Sequence, residues 1–187
     1  MSKPQSRDQE DVLRSLIAVF RDFGFEGASL TRFTERSGLI KASLYHRFPK
    51  GKEQMALAAL AEVDRIFSSH VLAPIDTALP LPERLSTVIE RLDAFYEGGL
   101  RSCLLETLSG AGTPESVKEH VRRTLEFWIA KFTVLAKAAG FPAREARVRA
   151  EGAIAAIEGA LIMSRAQGHN REFRRSLDLL PQRLLRP

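Results

Sequence analysis

The stretch Arg36–Glu53, RSGLIKASLYHRFPKGKE, decides how this chain is read. Between Leu39 and Pro49 there is room for barely two helical turns. An isolated helix of that size is marginal in water, so something must hold it from behind. Leu39 and Leu44 supply a buried side, with Tyr45 and Phe48 as aromatic anchors, and Lys41, Ser43 and His46 are left pointing outward. Ser37-Gly38-Leu39 reads as a tight turn. Ser29 reads as the cap of a preceding helix that ends near Arg36. Two short helices joined by a glycine-containing turn make a helix-turn-helix. In that motif the second helix enters the major groove, which is about 12 Å wide, and the first braces it. Pro49 ends the second helix, and Lys52 opens the next element.

Helical periodicity extends outward from this stretch, and strand signals are nearly absent. Leu13, Leu16, Ile17, Phe20 and Phe23 predict a first helix over 7–23, with Ser6 and Gln9 as a capping box and Gly24 as its stop. A long fourth helix starts near Lys52 on Met55, Ala59, Val63, Ile66 and Phe67. The segment "APIDTALPLPE" is the best candidate for a loop between regions. A fifth helix follows on Leu85, Val88, Leu92, Phe95 and Tyr96, up to Gly98-Gly99. A short sixth runs from Cys103 to about Gly110. The seventh, eighth and ninth end near Gly140, Gln167 and Leu185. The expected organisation is all-α, with a DNA-binding region at 1–52 and a helical region at 53–187. The helix from about 52 to 71 connects the two.

The chain has 187 residues with 44% hydrophobic content, enough for a real core. Its net charge is +5, and most of it lies at the front. Residues 1–52 hold ten Lys and Arg against six Asp and Glu, which suits a polyanion-binding module. One cysteine, Cys103, excludes an intrachain disulfide and suits a reducing cytoplasm. The N-terminus MSKPQSRDQED does not read as a signal peptide. No apolar run approaches the ~20 residues needed to cross a bilayer, so a cytoplasmic protein without a membrane partner is expected. The four histidines and Cys103 have no metal-like spacing, and no cofactor is expected.

The run from Gly24-Phe25 through Ser29-Leu30, Ser37-Gly38-Leu39, Lys41-Ala42-Ser43-Leu44-Tyr45 and Phe48-Pro49 to Lys52-Glu53 resembles the TetR family of bacterial transcriptional regulators. The extra glycine at Gly51, with Cys103-Leu104-Leu105, is similar to its LmrA/YxaF-like branch. The resemblance implies a nine-helix homodimer whose first three helices bind double-stranded operator DNA. The rest is expected to bind a small, largely apolar effector and to dimerise. Its implied DNA contacts are Ser29, Thr31, Lys41, Ala42, Ser43, Tyr45, His46 and Lys52. Lys52 and Tyr45 are expected on phosphates, which position without specifying. Ile40 departs from the pattern, standing where a capping Ser or Thr, or a proline, is usual. Thr34 and Ser37 replace the usual packed alanines.

For the effector pocket the candidates are Phe67, Leu92, Phe95, Tyr96, Cys103, Leu125, Trp128 and Glu158, although each aromatic taken alone is ordinary core. For the dimer interface they are Ile154, Ile157, Leu161, Phe173 and Leu177, on stripes that one thin bundle is not expected to cover. Two rivals use Cys103. A thiol at the start of a helix can act as an oxidant or electrophile sensor. More remotely, it can act as an enzyme nucleophile with His70 or His120 as base. No glycine elbow, phosphate loop or paired-acid pattern supports the enzyme.

Overall fold

The computed structural model describes residues 8–186, which contain helices and no strand. Helix α1 spans Gln9–Gly27, α2 Leu30–Ser37 and α3 Lys41–Arg47. Helix α4 covers Lys52–Ile66, followed by a π turn at Phe67–Leu72 and a 3-10 turn at Ala73–Asp76. Helix α5 is Leu81–Phe95, α6 Leu104–Thr107, α7 Glu115–Ala138 and α8 Ala143–Gln167. The predicted ninth helix is split at Leu179 into α9, Arg171–Asp178, and α10, Leu180–Leu185, with Pro181 in the first turn of α10.

Local chemistry explains the boundaries. The Ser29 hydroxyl accepts the Arg32 amide at 3.3 Å, capping α2. Gly38 ends α2 at φ 67°, a left-handed conformation that side-chained residues avoid. At Gly24 the backbone of α1 leaves helical geometry, but the helix resumes for one more turn to Gly27. Of the proposed capping box, Ser6 lies outside the described residues, and the Gln9 side chain instead accepts Arg47 Nη1 at 2.9 Å. At the π turn, Ser69 Oγ donates to the Arg65 carbonyl at 2.8 Å. His70 Nδ1 lies 3.2 Å from the Ile66 carbonyl. Side chains thus occupy carbonyls that the regular helix would use, which loosens its ladder.

The chain packs as two units. One comprises residues 8–64 and Leu104–Arg122, the other Arg65–Cys103 and 123–186. In the first, α1 lies on α2 and α6, around fully buried Leu16, Phe20, Phe33, Leu44 and Leu60. Each such side chain is worth about 1.5–3 kcal/mol of burial. Phe20 and Phe33 meet at 5.1 Å between ring centroids. In the same unit His120 Nε2 and Asp64 Oδ2 share a hydrogen bond of 2.7 Å. In the second unit the centre is aromatic. Phe67 stacks on Trp128 at 4.1 Å, and Tyr96 meets Phe173 edge-on at 5.9 Å. Arg147 of α8 grips Glu126 of α7 through two hydrogen bonds, of 2.5 and 2.9 Å. Those bonds hold the Glu126 carboxyl below the usual carboxylate range and the guanidinium above its own.

The stripes expected at a dimer interface are covered within one chain. Ile154, Ile157, Leu161, Phe173 and Leu177 are at most 7% exposed in a single chain. Helices α8 and α9 cover each other, with α10 and α5 behind them, so these stripes need no second copy to bury them. What α8 leaves outside is different: Val148, Gly152, Ala155, Ile162, Met163 and Ala166 are exposed, with Gly159 partly so.

Candidate nucleic-acid interface

The helix-turn-helix is seated by three buried residues. Leu44 is inaccessible, and Leu39 and Phe48 are nearly so. Ser37 at the turn is buried as well, but its hydroxyl donates to the Phe33 carbonyl at 2.6 Å and accepts the Leu39 amide at 3.2 Å. A hydroxyl in place of alanine is therefore fully satisfied at this seam.

On the other side of α3, Lys41, Ala42, Tyr45 and His46 are exposed and Ser43 is half-buried. Thr31 on α2 is exposed as well. Ser29 is half-buried, with its side chain engaged as the α2 cap. Lys52 is half-buried too, its Nζ 4.5 Å from the Phe25 ring centroid and 3.5 Å from the Glu26 carbonyl. Its ammonium is held by chain-internal contacts rather than waving free. Tyr45 and Lys52 border one crevice with Leu30, Phe33, Gly51 and Met55. Of the predicted residues the crevice brings together Tyr45 and Lys52, and the Ser29 side chain is turned to local work.

Ile40 is the N-cap of α3. It makes no side-chain cap bond and is 61% exposed. Replacing it with serine restores a cap acceptor, worth about 1 kcal/mol. The melting temperature of Ile40→Ser is expected to rise by about 2–4 °C. An unchanged or lower value in a thermal melt would show that the cap bond does not form.

In the second unit a narrow cavity is lined by Phe67, Leu92, Tyr96, Trp128, Phe132, Ile154, Ile157 and Glu158. It brings together five of the predicted pocket residues but not Phe95, Cys103 or Leu125. Ile154 and Ile157, predicted at a dimer interface, line it instead. Phe132 was missed because its helical stripe reads equally well as core. The space is roughly that of one water molecule. The indole N–H of Trp128 is buried, and among the described residues it has no hydrogen-bond partner. Cys103 is 1% exposed, with the Tyr96 hydroxyl 3.7 Å from its Sγ. His70 bonds next to Ser69 and His120 to Asp64, so neither is oriented by the thiol.

A seated short helix with an exposed basic and polar face defines a helix-turn-helix regulator. Residues 85–178 match the C-terminal domain of LmrA/YxaF-like transcriptional regulators. The chain belongs to that branch of the TetR family. It is 24% identical over 169 residues to the HTH-type transcriptional regulator LmrA of Bacillus subtilis, covering 88% of each chain. It is also 24% identical over 161 residues to the HTH-type regulator YxaF of the same organism, covering 83% of this chain and 84% of the relative. Its fold is similar to that of a TetR transcriptional regulator from Legionella pneumophila, with a TM-score of 0.85 at 18% identity over 97% of this chain and all of the other. A TetR-family regulator from Agrobacterium tumefaciens gives 0.83 at 21% identity, over 98% and 100%. These relatives are regulators of transcription, so the reading of Cys103 as a catalytic nucleophile is set aside. Among the described residues no helix is long and apolar enough to cross a membrane.

Proposed function

We propose that this regulator is a repressor that binds a near-palindromic operator as a homodimer and releases it when a small molecule binds. The observation that carries the reading is the face of α3, where Lys41, Ala42, Tyr45 and His46 stand exposed over the buried Leu44. Residues 1–52 act as the DNA-binding region and 53–187 as the effector and dimerisation region. Dimer symmetry is copied into half-sites spaced by whole helical turns. Selection of bound fragments from a random DNA library by the purified protein tests this. Inverted repeats are expected, and enrichment without symmetry would defeat the palindrome. Lys52→Ala is expected to weaken all sequences alike and to lower the salt slope by about one per protomer. A changed sequence preference with an intact slope would remove Lys52 from phosphate contact.

The dimer surface we assign to the outer face of α8. Val148, Gly152, Ala155, Gly159, Ile162 and Met163 recur at helical spacing along it, without a charge among them. At Gly152 and Gly159 an added Cβ would meet nothing within 4 Å, so a second helix can approach closely.

The effector site we assign to the cavity of the second unit. A largely apolar molecule with a hydrogen-bond acceptor would satisfy the Trp128 indole. The space present is too small for it, so Phe67 and Trp128 must part on binding. Phe67 opens the π turn that continues α4, so its displacement is felt at the end of that helix. The thiol-sensing alternative is disfavoured, since reactivity needs an accessible thiolate and Cys103 is buried.

A further inference from the structure

We infer that Ile40 reads the methyl group of a thymine in the major groove, an inference that rests on α3 being the recognition helix. Ile40 is the most exposed large hydrophobic side chain of the described residues, at 61%. It stands where a hydroxyl or carboxamide would cap α3, and it makes no cap bond. Its position therefore forgoes a hydrogen bond and leaves most of its apolar surface in water. Its neighbour Leu39 is buried, while Lys41 and Ala42 are exposed beside it. The apolar side chain thus precedes a helix that carries Lys41 and His46 exposed, with Lys50 exposed just beyond its end. A polyanion complements that charge.

Isoleucine has no donor or acceptor with which to read a base edge. The apolar group that the major groove displays is the thymine C5-methyl. Ile40 therefore favours T·A over C·G at one position of each half-site, while Lys41 and His46 supply polar contacts.

The test uses the operator obtained by random-library selection, in duplexes where each dT is replaced in turn by deoxyuridine. This removes the methyl group and leaves the base-pair hydrogen bonds intact. Binding is followed by fluorescence anisotropy. The wild-type protein is expected to lose about fourfold in affinity per methyl removed at one symmetric pair of positions. Ile40→Ser should lose that sensitivity, Ile40→Val should keep part of it, and Lys52→Ala should keep all of it at lower overall affinity. Equal binding of the dT and deoxyuridine duplexes at every position would overturn the inference. So would an undiminished penalty in Ile40→Ser, or an operator without dT at such a pair. The two failures are separable. If Lys41→Ala and Lys52→Ala leave DNA binding unchanged, the recognition-helix reading falls and takes this one with it. If both weaken binding while the methyl groups do not matter, only the role of Ile40 falls.

Discussion

Ala155→Arg is expected to sediment as a monomer at micromolar concentration and to bind operator DNA at least a hundredfold more weakly than the wild type. Ala155 lies at the middle of the exposed α8 face, between Gly152 and Gly159. In a close helix pair an arginine there has no room and no partner. A desolvated charge without a counter-ion costs several kcal/mol, and the two-fold axis doubles the penalty. Loss of the dimer then uncouples the half-sites, whose joint binding depends on a millimolar effective concentration. Ala143→Arg, at the exposed start of α8 on another side of the helix, is the control and should remain dimeric. If Ala155→Arg still sediments as a dimer, the interface lies on another surface.

Gly99→Ala should be the most damaging single-methyl change in the second unit. Gly99 has φ +93°, where L residues are strained, and its missing Cβ would lie 2.6 Å from the Cβ and Cγ of Phe173. Phe173 is fully buried and meets Tyr96 edge-on, so its ring has nowhere to go. Backbone strain of about 1–3 kcal/mol adds to overpacking of about 1–3 kcal/mol. The melting temperature should fall by about 5–20 °C. The double-mutant cycle is diagnostic. In a Phe173→Ala background the added methyl should cost less, because the Cγ and Cδ1 clashes are gone while the Cβ clash and the backbone strain remain. Additive effects of the two substitutions would show that the ring is not what excludes the side chain.

The helix-turn-helix was legible because every signal in it is local. Ser29 caps, Gly38 turns, Leu44 anchors and Pro49 stops, all within the span of two helices. What covers the α8 and α9 stripes was not legible, for the opposite reason. A stripe such as Ile154, Ile157 and Leu161 says that one face is buried but not by what, and here α9 and α10 pack against α8. The outer face of α8 mixes Val148, Ile162 and Met163 with Gly and Ala, so it forms no continuous stripe of large hydrophobics. The cavity was half legible. Its aromatic members Phe67, Tyr96 and Trp128 were expected, but Phe132 and the two isoleucines depend on how α5, α7 and α8 close around them. The split at Leu179 and the π turn come from tertiary packing and side-chain bonds to the backbone, which periodicity does not register.

The way α3 is seated bears on how this protein changes over generations. Its attachment rests on Leu39, Leu44 and Phe48, all turned inward, while the outward residues carry no structural duty. On the reading of α3 as the recognition helix, the exposed positions 41, 42 and 46 can therefore change the sequence recognised at little expense in folding. A duplicated copy of the gene can wander to a new operator through single steps that each leave a stable protein. On that reading the residues that keep the fold and those that choose the target are largely distinct sets, so selection can act on one while the other stands still.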